Sequence, residues 1–553
     1  MAVRRNKPFQ FNMLQGLNAR VANSWVGLFF KLRGSTSARP RDTDFITEIK
    51  AGISTFLAMS FIIAVNSALV AESGATCECN PPPGATGPAL ICVGDVVYSA
   101  CKATIRKDMV TATSVVSGIG SLLMKIFANL PIGLSCGMGI NVYFVYNVVG
   151  FHGSGGIPYR TALAAVFIEG LVFIALTLMG IRQWIARLLP NSLKHATCVG
   201  IGLFLCFVGF RQATGIGLVG PDPATFVTLS GCTLANQDED HVCKEGIMQN
   251  PTTWLGLGGL VLITFLIMLR VRGAMLVGIL VVSILSWIRH TNITYFPDTP
   301  EGDALFANFS SIVGFHPIQN TLAVLDFDFT QSQLWIALLT MLYVDILDAT
   351  GTIFSLVSLV DIVEPTGDFE GATTAFLCDA ASISIGSLFG VPPVTAFLES
   401  GVGISEGGRT GIVAVVVSIL FFISIFFSPI FASFPPWATG PALIVVGSLM
   451  ARCASFIPWE FPGEALPAFL TIAVMPLSFS VAYGILAGII SYAALSLLSK
   501  LVIFSSRGRI RPLLPPIDDQ SDNSQNISFV PSWIPACKTR FKEWKSKDEG
   551  QTV

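Results

Sequence analysis

Apolar residues in this chain run in long unbroken blocks, interrupted by short polar stretches. Blocks of roughly 18 or more apolar residues mark membrane-spanning helices. Read this way, the sequence predicts helices over Glu48–Val70, Lys107–Leu130, Arg160–Leu178, Lys194–Thr214, Trp254–Leu269, Ala274–Ile288 and Gln333–Val360. It predicts further helices over Ala372–Leu388, Thr410–Ser428, Phe434–Met450, Glu464–Phe479 and Ala482–Ile503. Two more segments, Gly137–Val149 and Val394–Ile404, are too short to span, which makes fourteen elements in all. Strands of a membrane barrel alternate apolar and polar residues, so continuous apolar blocks exclude a barrel. The expected fold is an all-α polytopic membrane protein.

The two short segments are the informative ones. They lie in NLPIGLSCGMGINVYFVY (Asn129–Tyr146) and SLFGVPPVTAFLESGVGISEGGRT (Ser387–Thr410). In each, Pro and Gly interrupt the apolar run. Such breaks need partners inside the protein, because lipid offers none to the freed backbone groups. The geometry expected is a short extended piece leading into a half-helix whose N-terminus points at the membrane centre. Interrupted segments at matching positions are the best sequence pointer to a transporter binding site. A weak repeat supports the matching. Arg160-Thr161, Ala165-Val166 and Phe173-Ile174 recur at constant offset as Arg409-Thr410, Ala414-Val415 and Phe422-Ile423. Seven helices separate the copies, so the second is inverted.

Charge orients the helices. The basic N-terminal stretch, Arg182/Arg187/Lys194, Arg270/Arg272, Arg452 and Arg507/Arg509/Arg511 are expected in the cytoplasm. The acidic Asp361–Glu370 loop falls on the same side, where acidic residues weigh little. The opposite loops carry Cys77, Cys79, Cys92, Cys101, Cys232 and Cys243, a set compatible with disulfides on an oxidising side. The sequons at Asn292 and Asn308 fit that side too. No cleavable signal peptide is visible, so the first helix is expected to act as an uncleaved signal. The resulting layout is a cytoplasmic tail at 1–47, a first repeat at 48–290, an extracellular or luminal loop at 291–332, a second repeat at 333–503 and a cytoplasmic tail at 504–553.

Composition sharpens the picture in one respect. Of 553 residues, 52% are hydrophobic and 12% charged, about half the charge of a soluble domain. No basic stripe supports nucleic-acid binding, and no paired CxxC spacing marks a zinc site. Against this background three acids stand inside apolar segments: Asp345, Asp348 and Glu399, with no Lys or Arg from His290 through Gly408. A charged carboxylate at mid-bilayer costs about 2.5–3.5 kcal/mol even on lenient scales. Asp345 and Asp348 share one helix face, and two desolvated carboxylates so close do not both ionise readily. A carboxyl that exchanges a proton is what proton coupling requires. At Glu399 the half-helix dipole favours the anion and burial favours the acid. Asn141, in the first half-helix, offers donor and acceptor together. Carboxylates with an amide suit a planar ligand rich in N–H donors and ring nitrogens. Thr395, Tyr143 and Phe397 complete the candidate substrate contacts. Asp348, Asp345 and Glu399 are the candidates for proton coupling.

At these motifs the chain resembles the AzgA-like adenine–guanine–hypoxanthine permeases of the nucleobase/ascorbate transporter superfamily. The resemblance runs from about Glu48 to Ile503. It rests on Thr55–Asn66, LPIGLSCGMGINVYF (Leu130–Phe144), Arg160–Gly170, Gly200–Phe204, LYVDILDATGT (Leu342–Thr352), PPVTAFLESGVGISEGGRTG (Pro392–Gly411) and Thr439–Gly447. The long outward loops resemble the plant-type branch. The resemblance implies two inverted seven-helix repeats, a core of helices 1–4 and 8–11, and a gate of helices 5–7 and 12–14. It implies elevator-like, proton-coupled symport of purines, dimerisation through the gate, no cofactor, and base contacts from Asp345 and Glu399 with Asp348 and Asn141 in support. Cytokinins are the further substrates associated with plant-type relatives. The plasma membrane is the expected location, with the endoplasmic reticulum as the alternative. The chain departs from the family pattern at Cys136, usually Pro, and at Ala349 and Pro392.

Two other classes compete. Anion carriers resemble this fold, but a cation-free acidic cluster opposes an anion. An intramembrane aspartyl protease needs paired acids such as Asp345 and Asp379, yet no GxGD follows. The chain is therefore read as a carrier and not an enzyme.

Overall fold

The computed structural model describes residues 18–505 apart from 34, 36–40, 79–95, 181–189, 212–213, 223–225, 233–235, 237–242, 244, 311–312, 361, 363–368 and 370. Cys79, Cys92, Arg182, Arg187, Arg507, Arg509, Arg511 and most of the Asp361–Glu370 loop lie outside the described residues. A short helix, α1 (Trp25–Phe30), precedes a first span broken into α2 (Phe45–Met59) and α3 (Phe61–Glu72). The break is at Ser60, whose hydroxyl donates to the Leu57 carbonyl at 3.2 Å and competes with the helical ladder. Next come α4 (Val96–Leu123), strand β1 (Leu134–Cys136), the half-helix α5 (Met138–Tyr143) with a wider turn over Phe144–Val149, and α6 (Tyr159–Met179). α7 (Asn191–Phe210), the strands β2 (Val219–Asp222) and β3 (Phe226–Leu229), α8 (Pro251–Met268) and α9 (Ala274–Ser286) follow.

The second half starts with α10 (Pro300–Ser310) and the long α11 (Ser332–Val360). It continues through α12 (Ala372–Leu388), strand β4 (Val394–Ala396), half-helix α13 (Ser400–Ser405), α14 (Ile412–Ser424) and the short α15 (Ser428–Ala432). α16 (Pro436–Met450), α17 (Pro462–Leu477) and α18 (Val481–Ser505) close the chain. Among the described residues, eight helical stretches are long and apolar enough to cross a membrane, and α9, α12, α14 and α17 are shorter apolar helices.

α14 packs on α2 and α4, α12 on α6, α3 on α4, and α11 on α6 and α13. Separately, α7 packs on α16 and α17, α17 on α18, and α8 on α9 and α16. The buried core is continuous through both sets. By contrast, α8 and α18 bury only 22% and 28% of their apolar windows, leaving broad apolar faces outward.

The two ends of the bundle are tied differently. At one end the Arg41 guanidinium donates to the carbonyls of Asn129 and Arg409, each at 2.6 Å. Buried Glu48 there accepts from the Arg409 N–H at 2.7 Å and the Thr410 hydroxyl at 2.8 Å, starting α14. At the other end disulfides join Cys77 to Cys101 and Cys232 to Cys243. These are called here the Arg409 end and the disulfide end.

Several boundaries differ from expectation. α4 begins at Val96 instead of Lys107. Its charged first turns are held by partners: Lys102 with Glu72 at 2.9 Å, Arg106 with the Tyr295 hydroxyl at 2.7 Å, and Asp108 with His316 at 2.8 Å. Val394–Ile404 is not one helix but a strand followed by a six-residue helix. The hairpin β2–β3 and helices α1, α10 and α15 arise where the sequence predicted only loop or tail. All are too short to register in a hydropathy scan.

Candidate functional site

The interrupted segments meet at the centre of the fold. β1 and β4 pair antiparallel, with Leu134 opposite Ala396, Ser135 opposite Thr395 and Cys136 opposite Val394. The ladder extends at both ends: the Gly137 N–H donates to the Pro393 carbonyl at 3.0 Å, and the Phe397 N–H to the Gly133 carbonyl at 3.1 Å. Backbone groups freed by the prolines and glycines thus satisfy one another, as an apolar surround demands. Because the strands are antiparallel, α5 and α13 leave the crossing in opposite directions. A glycine sets each half-helix against its neighbour. A Cβ on Gly139 would come within 2.4 Å of the Ile201 side chain on α7, and one on Gly403 within 2.1 Å of Thr55 on α2.

The acids gather on one side of this crossing. Asp345 is fully buried on α11, and its carboxyl interacts with that of Glu169, equally buried on α6. No N–H or hydroxyl among the described residues donates to either carboxyl. Asp345 also feels the charge of Asp348, half-buried one turn along α11. Asp348 bonds Thr352 and interacts electrostatically with Glu399. Glu399 occupies the N-cap position of α13 without capping it by its side chain, beside an exposed Leu398. Asp345, Asp348, Glu399 and Glu169 therefore form one chain of interacting acids.

The remaining candidates divide. The Thr395 hydroxyl is buried with no hydrogen-bond partner among the described residues. Phe397 is buried, its ring 6.5 Å from that of Phe61. Tyr143 is buried and faces Thr340. Asn141 is wholly buried. With its amide turned, the Asn141 NH2 donates to the carbonyls of Pro393 at 3.1 Å and Gly137 at 2.9 Å, and its oxygen faces Asn66 Oδ1 at 2.7 Å, a contact that becomes a hydrogen bond when the Asn66 amide is turned as well. Asn66 continues the network to Thr113 at 2.9 Å. Asn141 therefore uses its amide to hold the crossing together.

The sequence reading overlooked Glu169. It stands in the apolar run LAAVFIEGLVFIAL, so the same signal of an acid without a nearby cation was there to read. A fifth acid, Asp379, is buried on α12. Among the described residues no cluster of three His, Cys, Asp or Glu side chains is arranged for a metal ion.

Crossed half-helices beside a buried acidic cluster, in a multi-pass apolar bundle, define a membrane transporter. Residues 88–487 match the xanthine/uracil permease model, described as a permease family, and the chain belongs to that family. It is 47% identical to the efflux pump notK' of Aspergillus versicolor, over 97% of this chain and 94% of that protein. It is 32% identical to the guanine/hypoxanthine permease PbuO of Bacillus subtilis, over 86% of this chain and 95% of that protein. It is 31% identical to the adenine permease AdeP of Escherichia coli, over 88% and 92%. Among solved structures, the transmembrane domain of the cyanobacterial bicarbonate transporter BicA matches with a TM-score of 0.52 at 16% identity, covering 80% of this chain and 97% of that one. That likeness concerns the fold alone.

Proposed function

We propose that this permease carries purine nucleobases in symport with protons, as an AzgA-like member of its family. The observation behind the reading is the chain of acids Asp345, Glu169, Asp348 and Glu399 beside the β1–β4 crossing, its first two members fully buried, with no Lys or Arg from His290 through Gly408. A neutral base presents ring N–H or amino donors, which carboxylates accept, and ring nitrogens, to which a protonated carboxyl donates. Asp345 and Glu399 hold the base in this reading, and the unpartnered Thr395 hydroxyl adds a polar contact. The proton resides within the acidic chain, with Asp348, Asp345 and Glu399 as its carriers. Relatives named for adenine and for guanine/hypoxanthine support the substrate class.

The same reading takes the mechanism to be elevator-like. Helices α2–α6 and α11–α14 act as a core that slides against a gate of α7–α9 and α16–α18. Gly139 lets the first half-helix run close along α7, a contact without an interlocking side chain. The outward apolar faces of α8 and α18 suit lipid and a gate-to-gate homodimer. The Arg409 end, with Arg41, Lys50, Lys125 and Arg272, is assigned to the cytoplasm of a plasma-membrane protein.

Labelled adenine in proteoliposomes under an imposed pH gradient tests the reading. Adenine should accumulate on the alkaline side, collapse with a protonophore, and be displaced by guanine and hypoxanthine. Competition by cytokinins tests the plant-type extension. Undiminished transport by Asp345→Asn and Glu399→Gln overturns the site. The relative named as an efflux pump favours a second reading, export. Movement of base against the direction of proton flow would establish exchange in place of symport. Bicarbonate or sulfate flux without purine competition would favour an anion carrier.

A further inference from the structure

The disulfide end carries an aromatic cluster that the site does not use. Phe479 lies in the turn between α17 and α18 with a left-handed backbone, φ +53°. For a bulky side chain that conformation is rare, and it persists where the surroundings hold it, often at moving parts. Its ring is gripped on several sides. Phe204 of α7 meets it edge-on at 4.9 Å between centroids, and Tyr146, at the far end of the first half-helix, at 5.4 Å. The Arg211 guanidinium, just past α7, lies 5.6 Å from the Phe479 ring and 5.5 Å from the ring of Phe151. Each of these contacts is an attraction of a recognised kind, ring edge to ring face or cation to ring.

The cluster joins the two packing sets. Tyr146 and Phe151 follow the first half-helix, which is anchored to the crossing. Phe204 and Arg211 belong to α7 and its exit, and Phe479 to the α17–α18 turn. If the half-helices slide against α7, these rings must part. Glycine would fill the left-handed position with no strain, so the ring is what this position supplies.

We propose that Phe479 and Arg211 form a clasp that shuts the approach to the site from the disulfide end, and that releasing it is a step of the transport cycle. This rests on the reading of two sliding groups, but not on the identity of the substrate. Phe479 holds the α17–α18 turn against the end of the half-helix, and Arg211 bridges the two rings.

A reporter cysteine at Ile201, one turn deeper on α7 than Phe204 and packed on Gly139, tests the clasp. It is placed in the full-length protein with the remaining free cysteines changed to alanine. A membrane-impermeant thiol reagent is added from one side at a time. Phe479→Gly keeps the left-handed backbone and deletes the ring, while Arg211→Gln removes the charge. Each should raise the labelling rate from the disulfide end, by roughly tenfold for a closed state that yields about one unit of log population, with no rise from the Arg409 end. Unchanged labelling in both variants overturns the clasp. An equal rise from both sides also overturns it, since that is general loosening. A one-sided rise in a protein that does not move purines leaves the clasp standing and removes the purine reading.

Discussion

Both interrupted segments run strand, then half-helix, yet Asn141 on the first and Glu399 on the second meet opposite surroundings. Asn141 is buried and bonded to the backbone of the opposite segment through Pro393. Glu399 sits half-exposed at the start of α13, beside a Leu398 that is 57% exposed. Two backbones that complete each other's hydrogen bonds thus carry side chains of different use. One is held within the crossing, and the other stands half-exposed beside it. Similar backbone devices do not imply equal shares of the chemistry.

Loss of the fixing side chain should do the most damage. Asn141→Leu removes two donated bonds and strands the Asn66 amide in an apolar interior. At about 1 kcal/mol per lost bond and about 1–3 kcal/mol for a stranded group, the cost is roughly 3–5 kcal/mol. The variant should lose most of its folded yield and much of its thermal stability in detergent. A well-folded Asn141→Leu that has lost only transport would erase the contrast and make Asn141 a ligand.

Next is the acid pair. Asp345→Asn can still donate to Glu169, so the fold should hold while transport falls. A hydrogen bond to a charged group is worth about 1.5–3 kcal/mol, which corresponds to roughly 10- to 150-fold in affinity. Glu169→Gln should weaken transport by a comparable factor. The double variant should lose less than the product of the two, because the two buried acids interact directly. Multiplicative losses in the uptake rate would show that the pair does not act as a unit. Glu399→Gln should follow with a loss near tenfold and unchanged thermal stability, in keeping with a side chain that caps nothing.

The interruptions were legible in the sequence at Leu130–Gly137 and Gly390–Pro393, because Pro and Gly there break helical propensity locally. The α12 boundaries, Ala372–Leu388, were legible for the opposite reason: a clean apolar run between polar ends. The β1–β4 pairing was not legible, since three residue pairs far apart in sequence leave no periodic trace. Glu169 was visible as an acid in an apolar run, but its partner stands on another helix and only the fold brings them together. The start of α4 was missed because Lys102, Arg106 and Asp108 look like a loop until their partners are seen.

Thr395 and Ser135 carry the same contrast in its mildest form. Thr395 lies on β4 opposite Ser135. The Ser135 hydroxyl is 2.7 Å from that of Ser117, so the first segment again uses its polar group inside the protein. The Thr395 hydroxyl has no partner among the described residues. Thr395→Val keeps the branched shape and removes that hydroxyl. Where nothing is bonded nothing is lost, so stability should stay within about 0.5 kcal/mol or rise slightly. Ser135→Ala, in contrast, strands Ser117 and should cost about 1 kcal/mol. If the Thr395 hydroxyl meets the base, Thr395→Val should also raise the half-saturating purine concentration by roughly threefold to tenfold, the worth of a neutral hydrogen bond of about 0.5–1.5 kcal/mol. Its maximal rate should change little, because the acidic chain is untouched. Equal losses of stability at the two positions would mean that β4 is as structural as β1, and that the open chemistry begins only at Glu399.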